Sequence, residues 1–124
     1  MKEAYVNFEI AKLLKKRGFD WGTQYVYTED GKGVTPPRIG KWKAKSNIPM
    51  VTHQMACAWC RNKGYHIYTF KSMVDSSWVY EVQSLNEDWT YHLGGFENHD
   101  DAIEAALKYT LENLYDSPAD NNQL

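Results

Sequence analysis

The stretch Thr52–Gly64, THQMACAWCRNKG, holds both cysteines of the chain, Cys57 and Cys60, with His53 four positions ahead of the first. Imidazole and thiolate are the ligands of zinc sites, and a Cys-x-x-Cys pair also supports thiol redox chemistry. On a helix, His53, Cys57 and Cys60 fall at i, i+4 and i+7, close enough on one flank to reach a single ion. A closed zinc site needs a fourth ligand, usually from a second segment with its own spacing. His66, His92 and His99 stand alone and supply none. A redox pair belongs at a helix N-terminus, where the dipole lowers the thiol pKa, whereas Cys57 lies about five residues past the capping Thr52. Met55, Ala56, Trp59 and Cys60 share one arc of the same helix, and free cysteine packs as a small hydrophobe. The spacing therefore favours packing over chemistry. No metal and no cofactor is expected, with His53, Cys57 and Cys60 as the candidate ligands should an ion bind.

A second candidate lies in the run RIGKWKAK, where Arg38, Lys41, Lys43 and Lys45 surround Trp42. Cations for phosphate and a ring for base stacking are how single-stranded nucleic acid is often held. The alternative is a solvated loop with Trp42 tucked against the fold. An overall pI near 6.1 is low for a dedicated nucleic-acid protein. The aromatic residues His66, Tyr68, Phe70, Trp78, Tyr80, Trp89 and Tyr91 form a third group, suited either to binding or to packing one sheet face on helices. Glu97, His99, Asp100 and Asp101 look like a carboxylate cluster, but helix capping accounts for them. No nucleophile elbow, HExxH or phosphate-loop spacing occurs, so the reading leans away from an enzyme.

These residues need elements to hold them. Asn7 caps a helix over about 8–17 in which Ile10, Leu13 and Leu14 form the apolar stripe, and Gly18-Phe19 ends it in Schellman fashion. Residues 24–28, QYVYT, read as a short strand or hairpin arm before the turn EDGKG. From 31 to 49 the pattern dissolves into a long basic loop that holds three of the four prolines. Thr52 caps a second helix, ended by Gly64-Tyr65. HIYTFKS, WVYEVQS and WTYHL alternate with period two and are separated by turn residues, the signature of an antiparallel meander. Asn98 and Asp101 form a capping box for a last helix, where Ile103, Ala106, Leu107, Leu111 and Leu114 are core and Glu104 pairs outward with Lys108.

The predicted fold is α+β, with an antiparallel three- to four-stranded sheet and about three helices on one face, in the order α-β-(loop)-α-β-β-β-α. Residues 1–116 make a single domain and 117–124 a flexible polar tail. The 124 residues, 43% hydrophobic and 24% charged, suit an ordered globule. No run approaches a membrane span and the start does not read as a secretory signal, so a cytoplasmic location is expected. Residues 1–63 hold 12 Lys/Arg against 5 Asp/Glu, and residues 64–124 hold 2 against 11. That asymmetry marks either a binding face or two halves that attract each other.

Four segments, YVNFEIAKLLKKRGFDW, THQMACAWCR, GYHIYTF and FENHDDAIEAALKYTLENL, resemble a widespread set of small proteins from gut bacteria and their phages. Proteins of that set share a Phe-Glu-x-Ala-Lys-x-Leu helix, a Thr-x-Gln-Met-Ala-x-x-Trp helix and a closing Phe-Glu helix rich in Ala and Glu. The likeness covers nearly the whole chain. Cys57 and Cys60 replace the Met or Leu-like residues usual there, and His99-Asp100 is a further departure. The resemblance implies a fold and a mobile-element setting rather than an activity. Together these features suggest a small, non-enzymatic interaction module, monomeric or a small homo-oligomer, that works through the aromatic sheet and the basic 31–49 loop, with a protein as its main expected partner and Arg38, Lys41, Trp42, Lys43 and Lys45 as the partner-binding candidates. Single-stranded nucleic acid, through the basic-aromatic loop, is the alternative.

Overall fold

The computed structural model describes residues 4–19, 21–23, 25–27, 31, 33–35 and 48–114. The candidate residues Arg38, Lys41, Trp42, Lys43 and Lys45, and the tail 117–124, lie outside the described residues.

Helix α1 spans Phe8–Lys16, and the Asn7 side chain accepts from the Ile10 N–H at its start. It ends as its sequence demands. Gly18 takes φ 99°, and the Phe19 and Gly18 amides bond back to the carbonyls of Leu14 and Lys15, the paired bonds of a Schellman cap. Strand β1 (Val26–Tyr27) pairs antiparallel with both β2 (Val34–Thr35) and β3 (Ile48–Pro49), in the order β2-β1-β3. The arm expected at 24–28 is thus present. It does not extend the meander but builds a sheet of its own, and β2 and β3 fall inside the 31–49 segment expected as a loop.

Helix α2 spans His53–Asn62, with the Thr52 hydroxyl accepting from the Met55 N–H. The meander follows as β4 (Tyr65–Lys71), β5 (Trp78–Ser84) and β6 (Thr90–Phe96), antiparallel in chain order. A register shift between Trp78 and Tyr80 bulges the β5–β6 pair near Gly94-Gly95. Helix α3 spans His99–Tyr109 behind the Asn98–Asp101 capping box and runs on into one π-helical turn, Thr110–Leu114.

Period two decides which sheet face is inner. Ile67, Tyr80 and Val82 join the core with Ile10, Ala11 and Leu14 of α1, Ala56, Trp59 and Cys60 of α2, and Ala102, Ile103, Ala106 and Leu107 of α3. The expected α+β architecture, helices gathered on one face of an antiparallel sheet, is the observed one. The chain start is stitched to α2: Val6 N–H donates to Val51 O and His53 N–H to Ala4 O, while the Tyr27 hydroxyl donates to Val6 O.

Candidate functional site

The three residues that looked most like a chemical centre are divided by the fold. Cys60 is buried in the core beside Trp59, and Cys57 is half-buried on its margin. Burial pushes the Cys57 thiol up to about 11, against a smaller opposing pull from Arg61. Cys60 is pushed up to about 12, by burial first and by the neighbouring Cys57 second. Both are therefore neutral thiols at physiological pH, whereas the nucleophile and the metal ligand are the thiolate. Among the described residues no group of three His, Cys, Asp or Glu side chains is placed to hold a metal ion.

His53 turns away from the cysteines toward α3. Its Nε2 lies 2.7 Å from Glu104 Oε2, and because an ionised carboxylate only accepts, Nε2 carries the hydrogen of that bond. Glu104 also accepts from the Asn7 N–H, at 3.2 and 3.3 Å to its two oxygens. One carboxylate therefore ties the start of α1, the start of α2 and the middle of α3 together. The outward Glu104–Lys108 pair expected from i, i+4 spacing gives way to this interhelical junction, which supplies two donors where an exposed pair supplies one weak contact. His53 Nδ1 is buried without a hydrogen-bond partner and sits 3.7 Å from Asp100 Oδ1. Asp100 in turn lies 3.2 Å from His99 Nδ1. Helical spacing alone sets His53 beside the cysteines, because its partner Glu104 lies 51 residues further along the chain.

The aromatic residues of the meander divide by face. Trp78, Tyr80, Tyr91 and Phe96 point inward: Tyr80 contacts the rings of Tyr91, Phe96 and Tyr109, and Tyr91 stacks on Tyr109 at 4.3 Å and 11°. On that side the rings pack between the sheet and α3. On the outer face His66, Tyr68 and Phe70 stand in a row along β4, with ring centroids 5.4 and 6.3 Å apart. The core cluster takes Ile67, Tyr80 and Val82 from the inner face; on the outer face His66 and Tyr68 are half-buried and Phe70 is exposed, while Val79 opposite Phe70 is buried. Across the strand pair, Tyr68 faces Glu81, and their hydrogen bond holds the Tyr68 hydroxyl above its usual range, with minor help from burial and the Glu81 charge.

The row ends in an unusual turn. Met73 and Val74 are 99% and 95% exposed and Phe70 42%, yet the turn that carries them is tightly bonded. Ser72 N–H donates to Ser77 O, Ser76 N–H to Ser72 O, and Val74 N–H to Ser72 Oγ. Asp75 Oδ1 accepts from both the Ser77 amide and its hydroxyl. Ser76 holds φ 63° within this network. Two aliphatic side chains are thus presented to solvent on a fixed scaffold. Alternation along β4 could have marked the row in the sequence, but the exposed pair at the turn has no periodic signal. The hollow at the β5–β6 turn, lined by Gln83, Ser84, Glu87, Asp88, Trp89 and Thr90, is polar and open, unlike the enclosed apolar pocket that takes a small molecule.

Compared with known proteins, the chain matches no family model, no curated protein and no solved structure.

Proposed function

We propose that this chain is a small, non-enzymatic interaction module that grips a protein partner with the outer face of its meander. The observation that carries this reading is the His66–Tyr68–Phe70 row running into the exposed Met73–Val74 turn. Rings and thioether or branched aliphatic side chains on a pre-ordered scaffold bind with little conformational cost, and aromatic anchors dominate protein interfaces. The Glu81 carboxylate opposite Tyr68 disfavours a phosphate backbone on this face and so favours a protein over nucleic acid. Thiols held neutral by burial, fully at Cys60 and partly at Cys57, support the non-enzymatic part of the reading. The likeness to small proteins of gut bacteria and their phages supports a mobile-element setting.

The test is affinity capture from the native host with the wild-type chain and with a Tyr68→Ser/Phe70→Ser double variant. Both side chains face outward, so the variant folds and loses the partner. Undiminished capture by the folded variant rejects the surface. A second reading, single-stranded nucleic-acid binding through Arg38, Lys41, Trp42, Lys43 and Lys45, rests on the cations and ring of that run. It predicts a rise in fluorescence anisotropy of mixed oligonucleotides near physiological salt, lost on combining Lys41→Ala, Trp42→Ala and Lys43→Ala. No rise at that salt removes it.

A further inference from the structure

The surface proposed above lies along β4. At the opposite edge of the sheet, β6 has features of a different kind. The sheet order ends at β6, so alternate backbone N–H and C=O groups of this strand point away from β5 with no strand beyond them among the described residues. Six of its seven residues are exposed and the seventh, Phe96, is half-buried. A strand at the rim of a helix-covered sheet normally hides one face, but α3 leaves the inner face of β6 partly open. Leu93 is 46% exposed and Tyr91 37%, even though Tyr91 stacks on Tyr109 of α3.

Exposed edges in monomeric proteins are guarded by lysine, by proline or by inward-pointing charge. The β6 sequence, TYHLGGF, contains no Lys, Arg, Asp, Glu or Pro. Its one irregularity, the bulge facing Trp78 and Tyr80, lies toward the Gly94-Gly95 end, where the Gly95 N–H is already taken by Ser77 Oγ. Thr90–Leu93, in contrast, keeps regular register with β5, from Gln83 opposite Thr90 to Tyr80 opposite Leu93. Among the described residues, an unguarded, regular and partly apolar edge is left without a strand beside it.

We infer that β6 pairs antiparallel with β6 of a second copy of this chain, so that two three-stranded meanders join into one continuous sheet about a two-fold axis through Thr90–Leu93. An antiparallel strand pair of identical sequence is self-complementary, the isologous contact that most homodimers use. The edge has no Lys, Arg, Asp or Glu, so self-pairing brings no such charges together. The same two-fold runs α3 of one copy antiparallel to α3 of the other. The acidic first turn, with Asp100 and Asp101, therefore lies toward the end of the partner helix that carries Lys108, and the two acidic turns stay apart. Tyr91 and Leu93 from both copies close over the joint, which removes from water the apolar surface that α3 leaves open. In this pair the two β4 rows stand at the far rims of the joined sheet, so the dimer presents two copies of the surface proposed for the partner and can bind bivalently. The pairing does not depend on that proposal, and neither fails with the other.

The test is the mass of the full chain in solution, followed by light scattering across a concentration series together with the Leu93→Lys variant. Lysine at this half-exposed position is tolerated in a single copy, but in the pair it places two cations beside the two-fold axis. The wild-type chain is expected at twice its 14.4 kDa mass. Leu93→Lys is expected to raise the dissociation constant roughly tenfold or more, equivalent to about 1.4 kcal/mol, while the far-UV spectrum is unchanged. A wild-type chain that stays monomeric at millimolar concentration overturns the inference, and so does a dimer as tight in Leu93→Lys as in the wild type. If the variant does not fold, amide exchange of Thr90–Leu93 in the wild type decides: protection that rises with protein concentration upholds the pairing, and protection independent of it refutes the pairing.

Discussion

At the scale of single residues, the most informative side chain is Glu104. In the sequence it is one of several charged positions on an amphipathic helix, and its spacing to Lys108 invites a surface ion pair. In the fold it accepts from His53 and from the Asn7 amide, positions 51 and 97 residues away. No local pattern encodes a contact at that separation, and so it was illegible. Cys60 is the opposite case. Its place on the arc with Ala56 and Trp59 was enough to read it as packing, and its burial follows from that arc. The junction gives a direct expectation. Glu104→Ala leaves a buried imidazole and an amide without their acceptor and should cost about 2–3 kcal/mol in urea unfolding, the usual range for a lost charged hydrogen bond plus a stranded donor. Glu104→Gln retains an acceptor and should cost about half as much. Equal losses for the two variants would mean that packing of the side chain, rather than hydrogen bonding, holds the junction.

At the scale of elements, the caps were the most legible features, because each is a few residues of local chemistry. Asn7, Thr52 and Asn98 all accept the expected N–H, and Gly18 takes the left-handed conformation that ends α1. A Cβ at Gly18 would meet nothing within 4 Å. The cost of Gly18→Ala is then backbone strain alone, about 1–2 kcal/mol, visible as a lowered thermal midpoint. Thr52→Ala should cost about 1 kcal/mol through loss of the cap. The three long strands announced themselves by alternation, whereas β1, β2 and β3 have two residues each, too few for any period to show. The same limit explains why the arm could be read as present without its partners. Which face of the meander is covered is also out of reach, since β4 carries aromatic residues on both faces, Tyr65 on one and Tyr68 and Phe70 on the other.

At the scale of the whole molecule, the folded chain keeps its thiols and several phenols neutral by burying them. Burial raises Cys57 to about 11, Cys60 to about 12 and Tyr80 to about 12, and also raises Tyr27. The folded state thus holds protons that the unfolded chain releases from about pH 9 upward. Stability is fully present below that pH and declines as pH climbs toward 12, because the unfolded state then binds fewer protons. Lys15, lowered by burial, works weakly in the other direction. Thermal midpoints taken between pH 8 and pH 11 should fall, and fall less in a Cys57→Ala/Cys60→Ala variant. The larger consequence concerns function. On the function proposed above, the surfaces of the meander are the working part of the molecule and the cysteine pair is packing material, Cys60 in the core and Cys57 at its margin. Thiol titration with a chromogenic disulfide reagent at neutral pH, native against denatured, tests that claim most directly. Two thiols should react in denaturant and only slowly in the native chain; rapid native reaction of both at neutral pH would contradict their burial.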